Sequence, residues 1–267
     1  MQTKQTKLSP SLCIDAVFGN LSFDQACQAT AQANISTIEF WSWWDKDLTA
    51  LQTAVNRYDL SISCCCTKFI SLVDVEQRGA YLQALSDSIA VAKELKIKTI
   101  ISQVGDFIVG MPREQQKQSL IDGLTAAAPL LEAADITLVV EPLNELVDHP
   151  GYYLIKSAEA FDIIKQVSSP NVKVLFDIYH QQISEGNIIN NILANIDYIG
   201  HFHAAGHPGR HELQHGEINY PEIFSAIKQT NFSGYIGLEY WPLTNNTTDN
   251  IINNTTESLQ EVVGWLE

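Results

Sequence analysis

The chain has 267 residues, 45% of them hydrophobic and 18% charged, a composition typical of a globular protein. Sixteen basic residues against 31 acidic ones give a net charge of −15, which disfavours a nucleic acid as the partner. No segment approaches the roughly 20 apolar residues that a membrane-spanning helix requires, so no membrane partner is expected.

The start of the chain, MQTKQTKLSPSL, lacks the apolar core of a secretion signal. The five cysteines are an odd number, and three of them are adjacent at Cys64, Cys65 and Cys66. Because neighbours on a strand point to opposite faces, these three thiols are not expected to bind one metal ion together. We therefore expect a reduced protein in the cytoplasm.

Short β-branched runs alternate with longer stretches along the whole chain. Several of the short runs are apolar on both faces, as is typical of parallel strands covered by helices. In chain order, the predicted strands are LCIDAVF from Leu12, STIEF from Ser36, SISCCCT from Ser61, TIISQV from Thr99, TLVVE from Thr137, KVLFD from Lys173, YIGHFH from Tyr198 and YIGLEY from Tyr235.

The longer stretches have apolar residues at helical spacing. They include residues 23–33, 76–96, 113–134, 157–167, 220–230 and 248–267. Eight βα repeats at a spacing of about 30 residues predict a single α/β domain over residues 1–267, a (β/α)₈ TIM barrel. A doubly wound open sheet is the alternative, but no glycine-rich fingerprint follows the first strand.

Polar residues stand at the C-terminal ends of these strands, where barrels of this kind build their active sites. Alternation places Val139 on the same face as Glu141, and Leu175 on the same face as Asp177. If those apolar side chains fill the barrel interior, the carboxylates lie directly above them. The polar residues at strand ends are Glu39, Gln103, Glu141, Asp177, His203 and Glu239.

The last four of these residues come from four consecutive strands and are expected to converge at the barrel mouth. Three carboxylates at such short distances repel one another unless a cation compensates their charges. Oxygen ligands with one imidazole suit Mg²⁺ or Mn²⁺ best, and Zn²⁺ is a further candidate. The alternative is that helix caps and loop salt bridges occupy these strand ends. Agreement between fold and site favours a metal centre.

Five of the seven histidines lie in the segment HFHAAGHPGRHELQHGEINY, which begins at His201. Only His203 ends a strand pointing inward, so it is the ligand candidate. His201 lies one layer lower and is expected to be a hydrogen-bonded core residue. His207 and His215 fall in the following loop, where solvated histidines are expected.

Further residues are candidates for binding the substrate. His180 could donate a hydrogen bond to a substrate oxygen, or it could simply begin a helix. Arg210 offers a fork that matches a carboxylate, and its alternative is a surface ion pair with Glu212 or Glu217. The other candidates are Glu39 and Trp41 at the side of the pocket, and Lys68, either as a second cation or as a solvated lysine.

The chain resembles the hydroxypyruvate isomerase family, within the xylose isomerase-like barrel superfamily. The segments that carry the resemblance are VVEPLNELVDHPGYYL, VLFDIYHQQISEGN, IGHFHAAGHPGRHELQHGEINYP and GYIGLEYWP. The resemblance implies a metal held by Glu141, Asp177, His203 and Glu239, and a catalytic pair formed by Glu141 and Glu239. It also implies an aldehyde–ketone isomerisation of hydroxypyruvate to tartronate semialdehyde, with proton transfer through an enediolate.

Other functions remain open at this point. The form EPLN…DHPGYYL is also similar to 2-oxo-tetronate isomerases. A ketose 3-epimerase is a further alternative, because it too uses two carboxylates to transfer a proton. A nuclease of the same superfamily would need more histidine ligands, and the acidic charge opposes it. A sugar-acid dehydratase and a sugar-binding barrel without catalysis complete the alternatives. Trp41, Trp43 and Trp44 could support a homo-oligomer or cover the barrel mouth.

Overall fold

A computed structural model describes residues 7–243 and 248–267 of the chain. Its sheet consists of parallel strand segments in the order β3-β2-β1-β9-β8-β7-β6-β5-β4. The segments are β1 (Ser9–Cys13), β2 (Thr37–Glu39), β3 (Ser61–Ile62), β4 (Cys64–Cys66), β5 (Thr99–Ser102), β6 (Thr137–Val140), β7 (Val172–Asp177), β8 (Ile199–Ala204) and β9 (Tyr235–Leu238).

Segments β3 and β4 are the two halves of one extended stretch, which changes its partner at Ser63. β3 pairs with β2, and β4 pairs with β5. The backbone N–H of Ser63 donates to the carbonyl of Ile38 at 2.9 Å, and that of Thr67 donates to the carbonyl of Ile101 at 2.8 Å. This stretch thereby joins both edges of the sheet, and the prediction of a TIM barrel is confirmed.

Helices surround the barrel on its outer side. They are α1 (Ile14–Val17), α2 (Phe23–Gln32), α3 (Leu48–Arg57), α4 (Arg78–Glu94), α5 (Arg113–Ala134), α6 (Ser157–Val167), α7 (Ile178–Ser184), α8 (Ile188–Asn195), α9 (Tyr220–Lys228) and α10 (Thr248–Leu266). Within residues 7–243 and 248–267, no helix combines the length and the apolar character that crossing a bilayer demands.

The first predicted strand is wrong beyond Cys13. The sequence predicts a strand over LCIDAVF, but the structure has β1 starting at Ser9 and a short helix, α1, over the second half of that run. Pairing with β9, from Ser9 opposite Tyr235 to Leu12 opposite Leu238, fixes the strand three residues earlier. A short apolar run is buried equally well by either element, so its composition does not decide between them.

Alternation along the strands separates two apolar layers. The layer inside the barrel is formed by Cys64, Cys66, Ile101, Val139 and Leu175. Residues one position away, including Cys65, Ile100 and Leu138, belong to the layer between sheet and helices. Side chains two residues further along β6 and β7 therefore stand above the interior layer, at the barrel mouth.

Candidate active site

Four side chains from consecutive strand segments converge at the C-terminal mouth of the barrel. One ligand atom of each lies within 4.8 Å of the corresponding atoms of the others, and all four residues are buried: Glu141, Asp177, His203 and Glu239. Nδ1 of His203 lies 3.3 Å from Oε1 of Glu141 and 3.4 Å from Oε2 of Glu239. The imidazole is thus flanked by the carboxylates that directly follow β6 and β9.

The three carboxylates of this cluster differ in how far neighbouring positive charges compensate them, and their pKa values differ accordingly. Burial raises the pKa of Glu141 and of Asp177 above the usual values of these carboxyls. Burial also acts to raise the pKa of Glu239, but the charges of Arg210 and His203 outweigh it and hold that pKa well below its usual range. For His203, burial lowers the pKa, while the carboxylates of Glu239 and Glu39 more than reverse that effect.

The cluster fits a divalent cation. Oε1 of Glu141 and Nδ1 of His203 are buried and have no hydrogen-bond partner among the residues described. A buried polar atom without a partner is costly, and a cation would satisfy both atoms at once. Three carboxylates and one imidazole form a donor set that hard divalent ions accept. The residues that would hold the ion are Glu141, Asp177, His203 and Glu239.

Glu39 lies beneath this cluster and does not line the cavity. Its side chain is 2% exposed, with Oε1 3.0 Å from Nε2 of His203 and Oε2 3.1 Å from Nε2 of His201. His201 is itself buried and hydrogen-bonded to Glu39, as expected for a core histidine. A carboxylate on the far nitrogen of a ligating imidazole orients that ring, so this position suits support of His203 better than contact with substrate.

Gly237 leaves the space in which Glu39 and His203 meet. A Cβ at this position would lie 2.5 Å from Oε1 of Glu39 and 2.5 Å from Cδ2 of His203. We expect Gly237→Ala to displace both side chains, weaken metal binding and lower the free energy of unfolding by roughly 1–3 kcal/mol. Urea unfolding and calorimetric titration with Mn²⁺ measure the two effects.

The matched control for this prediction is Gly79→Ala in α4, where an added Cβ would have no neighbour within 4 Å. That substitution is expected to leave stability unchanged or to raise it, because alanine favours the helix by up to about 1 kcal/mol. Equal behaviour of the two variants would show that the space at Gly237 plays no part in arranging Glu39 and His203.

Arg210 reaches the same cavity from the loop after β8. Its guanidinium contacts Oε2 of Glu239 and lies 3.9 Å from Oδ2 of Asp177. The group is stacked between two rings, 5.3 Å from the centroid of Tyr179 and 4.8 Å from that of Trp241. The alternative of a surface ion pair is therefore wrong, because Arg210 is only 7% exposed and its carboxylate partners lie in the cluster.

The remaining predicted residues differ in their distance from the cavity. His180 is fully buried and borders the cavity, and burial together with the charge of Arg210 lowers its pKa. Trp41 borders it as well and donates from Nε1 to Oε1 of Glu239 at 2.6 Å. Lys68 instead lies outside the lining residues, with Nζ 5.3 Å from the ring centroid of Trp43.

A cavity of about 290 Å³ opens above these groups. Its walls combine charged, neutral polar and aromatic side chains, the mixture typical of a small-molecule site. Sequence reasoning missed Tyr179 and Trp241, although both are aromatic residues within two positions of a predicted ligand. The polar and charged lining side chains are Glu141, Glu239, Arg210, His149, His180, His203 and Gln103, with Trp41, Phe69 and Trp241 as the large aromatic ones.

Comparison with known proteins identifies the family. The model of the xylose isomerase-like TIM barrel family matches residues 27–267. Hydroxypyruvate isomerase of Escherichia coli (strain K12) is 30% identical over 240 residues, which are 86% of this chain and 92% of that protein. The chain belongs to the hydroxypyruvate isomerase family of xylose isomerase-like TIM barrels. The resemblance expected from the sequence is confirmed.

Other proteins are similar to this chain in fold or over part of its sequence. A 2-oxo-tetronate isomerase of Cupriavidus necator is 38% identical over 130 residues, about half of each chain. A crystal structure described as AP endonuclease, family 2, from Brucella melitensis superposes with a TM-score of 0.83 at 26% identity, covering 94% of this chain and 99% of that one. A D-psicose 3-epimerase from Clostridium cellulolyticum, at 18% identity and a TM-score of 0.79, shares the fold.

Proposed function

We propose that the protein is an isomerase of a small oxo acid, which exchanges a carbonyl group with the hydroxyl group on the neighbouring carbon. Hydroxypyruvate, with tartronate semialdehyde as its product, is the first candidate substrate, and a four-carbon 2-oxo acid is the alternative. Both substrates follow from the relatives, one in Escherichia coli and one in Cupriavidus necator. The observation that carries the proposal is the convergence of Glu141 and Glu239 on one side of His203 in a cavity that Arg210 also lines.

The reaction requires transfer of a carbon-bound proton to the neighbouring carbon. One carboxylate removes the proton from the carbon that carries the hydroxyl, which leaves an enediolate. A carboxyl group then delivers a proton to the former carbonyl carbon, while the hydroxyl proton passes to the oxygen on that carbon. Atoms and electrons balance within the substrate, so no external oxidant is needed. The closeness of Glu141 and Glu239, which follow β6 and β9, supports their assignment as the two groups that exchange protons with the substrate.

A divalent cation held by the four clustered residues would supply electrostatic stabilisation of the negative charge that develops on the substrate oxygens. The protein contributes further groups of its own. Arg210 presents a guanidinium suited to the substrate carboxylate, and its stacking on Tyr179 and Trp241 fixes its orientation. Trp41 holds one oxygen of Glu239 through its indole N–H, which leaves the other oxygen of that carboxylate nearer to Arg210 and His203.

The cavity and the charge of the protein argue for a small anionic substrate over a nucleic acid. A volume of about 290 Å³ accommodates a small organic molecule. The cation Arg210 lies inside that cavity, whereas the chain as a whole carries a net charge of −15. A polyanion would meet repulsion over most of the surface. The cytoplasmic location, the homo-oligomer and the single domain over residues 1–267 stay predictions.

The proposal is tested with a panel of substrates in D₂O, followed by proton NMR. The panel contains hydroxypyruvate, four-carbon 2-oxo acids and neutral ketoses of three to six carbons, before chelation, after chelation and after return of Mg²⁺, Mn²⁺ or Zn²⁺. We expect turnover of an oxo acid, loss of turnover on chelation, and recovery with at least one ion. Turnover confined to neutral ketoses would contradict the substrate class, and full activity after exhaustive chelation would contradict the role of the ion.

A further inference from the structure

The two ring nitrogens of His180 have different surroundings. His180 lines the cavity, and its buried Nε2 lies 3.5 Å from Oδ2 of Asp177 without a hydrogen-bond partner in the described part of the chain. Nδ1 points to the loop after β6, where it lies 2.6 Å from Nδ2 of Asn144. Which nitrogen carries the proton decides what this residue offers to a ligand.

The orientation of the Asn144 amide is fixed by its neighbours in the loop. Its Oδ1 accepts from the backbone N–H of Val147 at 2.9 Å and from that of Asp148 at 3.2 Å. Two donors on one atom identify that atom as the amide oxygen, so the other atom is the nitrogen. That nitrogen lies 2.7 Å from Oδ2 of Asp148.

An amide nitrogen has two protons and accepts no hydrogen bond. One proton of Asn144 Nδ2 is directed to the carboxylate of Asp148, and the other to Nδ1 of His180. The backbone N–H of Asn144 also donates to this Nδ1, at 3.3 Å. Two donors on Nδ1 leave no room for a proton there, so His180 carries its proton on Nε2.

The carboxylate of Asp148 is itself oriented by a hydrogen bond from Tyr179. The hydroxyl of Tyr179 donates to its Oδ2 at 2.9 Å, and the ring of the same tyrosine supports Arg210. The hydrogen bonds that link these side chains have fixed directions, because Tyr179 and Asn144 both donate to the carboxylate of Asp148, and Asn144 donates its second amide proton to Nδ1 of His180. They end at His180, which borders the cavity.

We infer that Asn144 is a positioning residue, which fixes His180 as the neutral tautomer with its proton on Nε2 and so presents a hydrogen-bond donor to an oxygen of the ligand. The inference rests on the proposed function for the identity of that ligand, but the tautomer itself does not. A donor at this point selects for an accepting group, such as a carbonyl, a carboxylate or a hydroxyl oxygen. Because the donor is neutral, it stabilises charge on that oxygen while keeping its own proton.

The tautomer is tested directly on the wild-type protein. Long-range proton–nitrogen correlation spectra of protein labelled with ¹⁵N-histidine distinguish the two tautomers and the imidazolium, and a His180→Gln sample assigns the signals. The protein is measured free of metal and with Mg²⁺, which is diamagnetic. A protonated Nε2 with an unprotonated Nδ1 is expected. A proton on Nδ1, in either the neutral or the charged ring, would overturn the inference.

An exchange of two residues tests whether Asn144 is the cause. In the double variant Asn144→Asp/Asp148→Asn, the new carboxylate still accepts from the backbone N–H groups of 147 and 148, and the new amide still bonds to it. The charge of the pair is unchanged. The carboxylate, however, presents an acceptor to Nδ1 of His180, so Nδ1 is expected to become protonated. Asp148→Asn alone is the matched control and should leave the tautomer as in the wild type.

Activity gives a second readout. We expect kcat/KM of the double variant to fall by about 10-fold or more, as for loss of a well-oriented donor, whereas Asp148→Asn should retain most of it. An unchanged tautomer and unchanged kcat/KM in the double variant would contradict a positioning role. If the wild type shows the expected tautomer but no isomerase activity, the proposed function is wrong and the role of Asn144 stands. If the wild type is an active isomerase but has a proton on Nδ1 of His180, only the role of Asn144 is wrong.

Discussion

Replacement of Glu239 by glutamine is expected to lower kcat by roughly 10²-fold or more, because the amide keeps the size of the side chain but takes up no proton. The amide oxygen can still accept from Nε1 of Trp41, which donates to Oε1 of Glu239 in the wild type. The substitution therefore changes the charge and the capacity for proton transfer but leaves the packing of the side chain unchanged. The measurement is turnover with saturating Mn²⁺ or Mg²⁺, together with deuterium incorporation into the substrate from D₂O.

Glu239 is also placed to hold the cation, so the effect on metal binding is measured separately by calorimetry. Weaker binding that excess metal restores to full turnover would assign Glu239 to the ion alone. The control is Glu94→Gln at the end of α4, which removes one exposed charge remote from the barrel mouth and should leave the rate unchanged. Near-normal turnover in Glu239→Gln would remove this residue from the mechanism.

Arg210→Lys is expected to weaken binding of a carboxylate substrate by about 10- to 100-fold, since a point charge replaces a planar fork that donates two parallel hydrogen bonds. Lysine preserves the positive charge near Glu239 and Asp177, so the buried carboxylates keep a counter-charge. Stacking between Tyr179 and Trp241 is lost with the guanidinium. The expected result is a raised KM with a smaller change in kcat.

Two inhibitors show whether the fork recognises a carboxylate. The inhibition constant of a small 2-hydroxy acid should rise in Arg210→Lys, while that of its neutral amide should hardly change. An equal loss for both would mean that Arg210 acts only on Glu239 and Asp177. Arg57→Lys serves as the control, because Arg57 forms an exposed ion pair with Asp24, and such pairs contribute little.

The part of the site that lies at strand ends was predictable from the sequence. Glu141 and Glu239 directly follow apolar strands, and alternation along a strand fixes the face on which such a residue lies. Asp177 and His203 follow from the same argument. Their convergence needs only a closed barrel, which the repeat of strands and helices already indicates.

Features that depend on long-range contacts were not predictable in the same way. Glu39 ends a strand as the others do, yet it lies below the cluster, where the missing side chain of Gly237 leaves room for it. The bond between Asn144 and His180 joins residues 36 positions apart, through a loop whose path no local pattern specifies. For the first strand, the register with β9 decided the bounds, and composition could not.

Trp41 and Trp241 have ring centroids 6.4 Å apart, and both indoles border the cavity. Together they are two of the five tryptophans in the chain. Their emission is sensitive to the polarity and the charges in their immediate surroundings, both of which change when a ligand displaces water from this space. The unlabelled protein thus carries its own optical probe of occupancy, usable with substrates, inhibitors and ions that are themselves without colour.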